Sequence, residues 1–188
     1  MKALKVLAVA LMTIATTGLS AQTTSIEGYD FPSKVTIGDA DAALNGGGMR
    51  VKYWVLDLYV GALYLENKTD DAEKVVMADE NMGIRIVINS SIVSRDLFIE
   101  SLEEGFANSS AGAWTDADVD NFKKYLSDDL VKGDEIVLNY VAGDGVYLSK
   151  NGEERGKFNG LPFKQALFAI WFGDKPADDK LMDAMLGK

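Results

Sequence analysis

The chain has 188 residues, which is enough for a single domain with a continuous core, and 47% of them are hydrophobic. Its formal net charge of -10 disfavours nucleic acid and anionic membrane surfaces as partners, because binding to them depends on lysine and arginine. The absence of cysteine and histidine excludes disulfides, thiol nucleophiles, ordinary zinc sites and histidine-based triads, so acid–base chemistry would fall to carboxylates, lysine, tyrosine or water.

Residues 1–21 have the pattern of a secretory signal peptide. Lys2 and Lys5 precede an apolar run over residues 6–14, and small residues end the segment at Ala21. The run is shorter than the roughly 20 apolar residues that a membrane span needs. We therefore expect a cleaved leader over 1–21, export to the periplasm or the medium, no membrane span after cleavage, and a mature domain over 22–188.

The first half of the mature domain is predicted to form strands. Residues 25–31 and 34–37, interrupted by Pro32, are typical of an edge hairpin. Residues 49–56 and 58–66 are rich in valine, leucine and aromatic residues and predict two long neighbouring strands. Residues 82–89 alternate isoleucine with Arg85 and Val87, which indicates a strand with one face on a core and Arg85 on the solvated face.

Helices follow, and then strands return. Ser94 is typical of an N-cap before a helix with apolar positions at 97, 98, 102 and 106, and Thr115 with Asp118 resembles a capping box. We expect Arg95 to pair with a nearby acid, Asp96 or Glu100. Strands are predicted over 135–142, 145–150 and 155–158, then helices over 163–172 and 178–186. Blocks of strands and helices in this order indicate an α+β fold.

Two motifs that suggest cofactors do not meet their requirements. Asp116, Asp118 and Asp120 alternate as in a calcium loop, but Asn121 and Ser127 occupy the positions that require glycine and glutamate. The triple glycine at 46–48 lacks the lysine and spacing of a phosphate loop. We expect no metal and no cofactor, and we assign the aromatic residues of 163–172 to the core.

The three glycines precede Met49 and Arg50. They predict a turn, which either simply precedes a strand or lets a ligand approach the arginine at the base of that strand. Residue chemistry alone favours the plain turn, because an arginine on a strand usually points into solvent.

The order of several motifs resembles the chalcone isomerase family, in particular its exported bacterial branch. They are GGGMR at 46–50, YVGALYLE at 59–66, Gly145-Val146, and ALFAIWFG at 166–173 followed by Pro176. The resemblance covers nearly the whole mature chain. It implies a large antiparallel sheet with helices layered on one face, an open-faced β-sandwich, with a ligand cleft between them.

The resemblance also implies site residues. Arg50 matches the arginine that steers a phenolate or enone oxygen during ring closure in the true isomerases. In fatty-acid-binding relatives this arginine and a tyrosine, matched here by Tyr59, hold a carboxylate. The tyrosine, asparagine and serine or threonine that orient substrate in the plant enzymes are missing, because the corresponding positions read RDLF at 95–98, EE at 103–104, and Lys164. Chalcone cyclisation is therefore not expected.

Three functions remain open from the sequence. The first is non-catalytic binding of a fatty acid or similar small amphipathic carboxylate by Arg50 and Tyr59. The second is an intramolecular lyase, an isomerase acting on an enone or phenolic compound, with Arg50 as the catalytic residue. The third is a protein-interaction module, which is favoured if the cleft is filled by its own side chains. The sequence leaves the ligand and the oligomeric state undetermined.

Overall fold

A curved antiparallel sheet forms the body of the protein, in a computed structural model that describes residues 22–52 and 56–188. The predicted signal peptide lies outside the described residues. The strands are β1 (Thr23–Ile26), β2 (Tyr29–Pro32), β3 (Lys34–Ile37), β4 (Ala40–Lys52), β5 (Leu56–Leu65), β6 (Met82–Ile88), β7 (Glu135–Val141), β8 (Gly145–Lys150) and β9 (Glu153–Asn159). Strands β3 to β9 form one sheet in sequence order, and β1 pairs with β2 as a separate hairpin.

Five helices accompany the sheet in the described part of the chain. They are α1 (Ala72–Met77), α2 (Arg95–Asn108), α3 (Asp116–Tyr125), α4 (Gly160–Phe172) and α5 (Asp179–Met185). None of them is long and apolar enough to cross a membrane. The caps are the predicted ones: the Ser94 hydroxyl accepts from the backbone N–H of Leu97, and Thr115 and Asp118 form a reciprocal capping box.

The helices cover one face of the sheet, as predicted. The isoleucines at 84, 86 and 88 point into a core shared with α2 and α4, and the aromatic residues of α4 are buried in it. The hairpin β1–β2 lies on the opposite face and covers a smaller apolar cluster that includes Phe31 and Tyr64. Arg85 also lies on that face, where it forms an ion pair of 2.9 Å with Glu135.

The prediction of a turn at the triple glycine is wrong. Gly46, Gly47 and Gly48 lie inside β4, which pairs antiparallel with β5 as far as Lys52 and Leu56. The reason is the packing of α5 on this part of the sheet. A β-carbon on Gly46 would lie 2.2 Å from the carbonyl oxygen of Ala184, so only glycine lets the end of α5 approach the strand this closely.

Helix α1 was not predicted from the sequence, and its end is held by Lys164 of α4. Lys164 is fully buried. Its ammonium donates hydrogen bonds to the carbonyl oxygens of Val75, Val76 and Ala78, at 2.6, 3.0 and 2.8 Å. These carbonyls end a helix and lack intrahelical donors, so a side chain 89 residues away along the chain caps α1 and stabilises it.

Burial of Lys164 predicts an unusual dependence of stability on pH. Desolvation lowers the pKa of Lys164 to about 8, against 10.5 for an ordinary lysine, and the carboxylates of Asp79 and Glu80 oppose the shift. Between pH 8 and pH 10 the unfolded chain then binds more protons than the folded protein. We therefore expect Lys164 to add about 2 kcal/mol to the free energy of unfolding over this interval. Buried tyrosines, whose pKa values are raised, offset part of this rise as the pH approaches 10.

Urea unfolding at several pH values measures this rise. Lys164→Met should abolish it and should also cost about 2 kcal/mol at pH 7, because the three carbonyls lose their donor. Lys124→Met, which changes an exposed lysine, should retain the rise. A difference in unfolding free energy between the protein and Lys164→Met that stays constant from pH 8 to pH 10 would contradict the prediction.

Candidate functional site

Arg50 and Tyr59 are brought together by the pairing of β4 with β5. The two residues are direct partners in the strand register, so their side chains lie on the same, helix-covered face of the sheet. The guanidinium carbon of Arg50 is 5.5 Å from the centre of the Tyr59 ring. Only 8% of Arg50 and 2% of Tyr59 are exposed. The two residues therefore form a compact polar group beneath α2.

Arg50 has no acidic partner in residues 22–52 and 56–188. The ion pairs of the structure connect other arginines and lysines, and Arg50 lies beside the Tyr59 hydroxyl and near Ser101. Residues 1–21 and 53–55 contain no aspartate or glutamate. Burial of a charge is costly unless an opposite charge or hydrogen bonds compensate it. The guanidinium thus presents a fork of donors that suits an external anion such as a carboxylate.

Tyr59 is held by an indole. The Nε1–H of Trp171 donates a hydrogen bond of 2.8 Å to the Tyr59 hydroxyl oxygen. Burial raises the pKa of Tyr59, although the charge of Arg50 and the hydrogen bond from Trp171 oppose the shift, so the phenol keeps its proton at neutral pH. Indole and guanidinium groups only donate hydrogen bonds. Neither Trp171 nor Arg50 can therefore accept the hydroxyl hydrogen of Tyr59, which remains available for a hydrogen bond to a ligand oxygen.

The role of Trp171 was missed by sequence reasoning, which placed it in the core. The residue is indeed buried, with its ring among apolar side chains. The sequence offered only a general reason to expect a hydrogen bond from Trp171: the N–H of a buried tryptophan usually finds an acceptor. Which acceptor it finds depends on the packing of α4 against β5, and that packing is not encoded in any local motif.

The space around this polar group is nearly closed. Two hollows next to Arg50 and Tyr59 hold about 10 Å³ each. That volume is at the lower limit for a single water molecule. Phe98, Leu102 and Ile170 fill the rest of the space between α2, α4 and the sheet. In this state the cleft is occupied by its own side chains.

A close contact between α2 and α4 keeps the cleft closed. A β-carbon on Gly105 of α2 would lie 2.6 Å from the side chain of Ile170. The missing side chain lets the two helices approach, and Ile170 then lies against the hollow that Arg50 and Tyr59 line. Separation of α2 from α4 at this contact would open a path to both polar residues.

Comparison with known proteins agrees with this architecture. A family model described as chalcone isomerase-like matches residues 23–187. The chain belongs to the chalcone isomerase-like family. A search of curated proteins gave no significant match.

A solved structure of the same fold is the fatty-acid binding protein AtFAP1 of Arabidopsis thaliana. It superimposes on this chalcone isomerase-like chain with a TM-score of 0.70 at 19% sequence identity, over 88% of this chain and 96% of that one. At this identity the similarity establishes the fold, with its large antiparallel sheet and helical layer, and does not transfer a ligand.

The positions where this chalcone isomerase-like chain departs from the plant enzymes are used for structure. Arg95 pairs with Asp96, as expected, at 3.0 Å, and it also donates to backbone carbonyls at the end of α3. The ammonium of Lys164 donates its hydrogen bonds to carbonyl oxygens at the end of α1. Neither side chain lines the hollows around Arg50. Asp118 of the calcium-like sequence serves the capping box.

Proposed function

We propose that this chalcone isomerase-like protein is exported and binds a fatty acid or similar small amphipathic carboxylate without catalysis, with Arg50 and Tyr59 as the anchor. The observation that carries the proposal is the nearly buried Arg50, which has no acidic partner in the described residues. A carboxylate would accept two parallel hydrogen bonds from the guanidinium and a third from Tyr59. AtFAP1 is a fatty-acid binding protein, which agrees with this class of ligand. Export rests on the leader-like sequence of 1–21.

Entry of an apolar tail requires the cleft to open. The hollows beside Arg50 are far smaller than the roughly 300 to 1,000 Å³ of ordinary ligand sites. The side chains that fill the cleft are apolar, and their displacement by an apolar tail exchanges one buried apolar surface for another. The proposal therefore includes a movement of α2 away from α4 when the ligand binds.

The closed cleft supports a second candidate, the protein-interaction module. In that case Arg50 and Tyr59 would stabilise a packed core and no small molecule would be recovered. The lyase alternative, with Arg50 as its catalytic residue, would also need a base to form a reactive phenolate, and Tyr59, which keeps its proton at neutral pH, does not supply one.

Mass spectrometry of the protein purified from the extracytoplasmic fraction tests the proposal. The intact mass reports whether residues 1–21 have been removed, and an organic extract reports any bound carboxylate. Recovery of a fatty acid or a related amphiphile is expected. An empty extract, together with no binding of dodecanoate by calorimetry, would reject the binding function and favour the interaction module.

Tyr59→Phe is expected to weaken dodecanoate binding by about tenfold or more. The variant loses one hydrogen bond to a charged group, which contributes about 1.5 to 3 kcal/mol. It also leaves the Trp171 N–H unpaired and should lower stability. Tyr140→Phe is the matched control. The Tyr140 hydroxyl donates a hydrogen bond of 2.6 Å to Asp79 at the other end of the sheet. The control should lose stability and keep its affinity; equal affinity losses in both variants would contradict the anchor role.

A further inference from the structure

A polar hollow lies on the solvent side of Arg50. It has a volume of about 140 Å³ and lies between the end of β4, helix α2 and the loop before α5. Arg50 and Ser101 are among its lining residues, with Lys52, Glu104, Asn108 and Lys175 around them. A water molecule in the liquid takes about 30 Å³, so the hollow has room for about five water molecules or a similar number of non-hydrogen atoms. A lone carboxylate held by Arg50 would leave much of this space empty.

Arg50 and Ser101 line this polar hollow and also two smaller hollows whose lining is mostly apolar. On the inner side, the two small hollows are lined by apolar groups that include Leu58, Val93 and Phe98. An amphiphile anchored at Arg50 would therefore direct its tail inward, under α2, and the remainder of its head group outward. The ligand would therefore bind in one orientation, with its additional head-group atoms beside the polar side chains of the outer hollow.

The charge of the outer hollow is positive, although the protein as a whole carries -10. Arg50, Lys52 and Lys175 line it against one acid, Glu104, and Glu104 is 3.9 Å from Lys52. Asp178 lies close by and adds a second negative charge, while its carboxylate accepts hydrogen bonds from the backbone N–H groups of Val51, Lys180 and Leu181. Lys175 is exposed at the edge of the hollow. A local concentration of positive charge on an acidic protein attracts an anionic group.

We infer that the ligand carries a second anionic group, which lies in the outer hollow beside Lys175. This inference rests on the proposed function, because Arg50 and Tyr59 must already hold the first group. It specifies the ligand as an amphiphile whose head bears two negative charges a few bonds apart, in place of a simple fatty acid.

Calorimetry with two probes that share a twelve-carbon tail tests the inference. N-dodecanoyl-glutamate carries two carboxylates, and N-dodecanoyl-glutamine carries one carboxylate and an amide of nearly the same size. We expect the glutamate probe to bind about two- to fivefold more tightly, the range that an exposed ion pair provides. Lys175→Ala should remove this preference, and Lys68→Ala, which removes an exposed lysine outside the hollow, should keep it.

The outcomes separate the two proposals. Equal affinity for both probes, with both dependent on Arg50, would overturn the second anionic group and leave the carboxylate anchor in place. A preference that survives Lys175→Ala would also overturn it. Failure of both probes and of dodecanoate to bind would instead reject the proposed function itself.

Discussion

Arg50→Met is expected to weaken carboxylate binding at least a hundredfold without loss of stability. Two charge-assisted hydrogen bonds to the ligand disappear, and each contributes about 1.5 kcal/mol or more. In the unliganded protein the arginine is nearly buried and has no acidic partner in the described residues. Methionine fills similar space without charge, so the free energy of unfolding should stay the same or rise by about 1 kcal/mol.

Binding titrations with dodecanoate and urea unfolding of the same samples measure the two effects. Arg50→Lys is the matched control, because it keeps the positive charge and loses the planar fork; it should bind with intermediate affinity. A clear loss of stability in Arg50→Met would show that Arg50 supports the packed core, as the interaction-module candidate requires. Unchanged affinity would rule out Arg50 as the anchor.

Gly46→Ala is expected to destabilise the protein by about 3 kcal/mol, the upper part of the range for an overpacked core. The added methyl group would overlap the carbonyl oxygen of Ala184, at 2.2 Å, and backbone atoms of Met185 and Gly187 lie at 2.9 and 3.0 Å. Backbone atoms cannot rotate away as a side chain does. Helix α5 would have to move off the sheet to accommodate the change.

Gly61→Ala provides the control on the neighbouring strand. Gly61 pairs with Gly48 and faces the same helix, but a β-carbon there would lie 3.4 Å from the sulfur of Met185 and 3.5 Å from Leu181, which are ordinary contacts. We expect a change in unfolding free energy within about 0.5 kcal/mol. Equal destabilisation by both substitutions, measured by thermal or urea unfolding, would contradict the assigned role of Gly46.

Local signals in the sequence predicted the elements that depend on neighbouring residues. Ser94 and the pair Thr115 and Asp118 marked the starts of α2 and α3, because a cap is satisfied within one turn of its own helix. The alternation of residues 82–89 predicted which face of β6 is buried, because side chains alternate along any strand. The resemblance to the family supplied the sheet, the helical layer, and the identity of Arg50 and Tyr59.

The errors occurred where distant segments determine the local structure. Helix α1 has only six residues, too short to be stable alone, and its last carbonyls depend on Lys164 from 89 residues away along the chain. The triple glycine signalled a turn, yet it lies in β4, where Gly46 and Gly48 leave room for α5 and Gly47 faces Ile26 of β1. In both cases the stabilising contact is far away in sequence, so no window along the chain contains it.

The sequence by itself determined the chemistry available to this protein: an acidic domain without cysteine or histidine, a leader-like segment, and one arginine and one tyrosine in the order of a known family. Only the tertiary structure decided that Arg50 is nearly buried without an acidic partner in the described residues, that Trp171 orients Tyr59, and that the cleft between α2 and α4 is closed. Burial, the orientation of a hydrogen bond and the volume of a cleft arise from the packing of segments far apart along the chain. These quantities, together with the identities of Arg50 and Tyr59, determine what the site can bind.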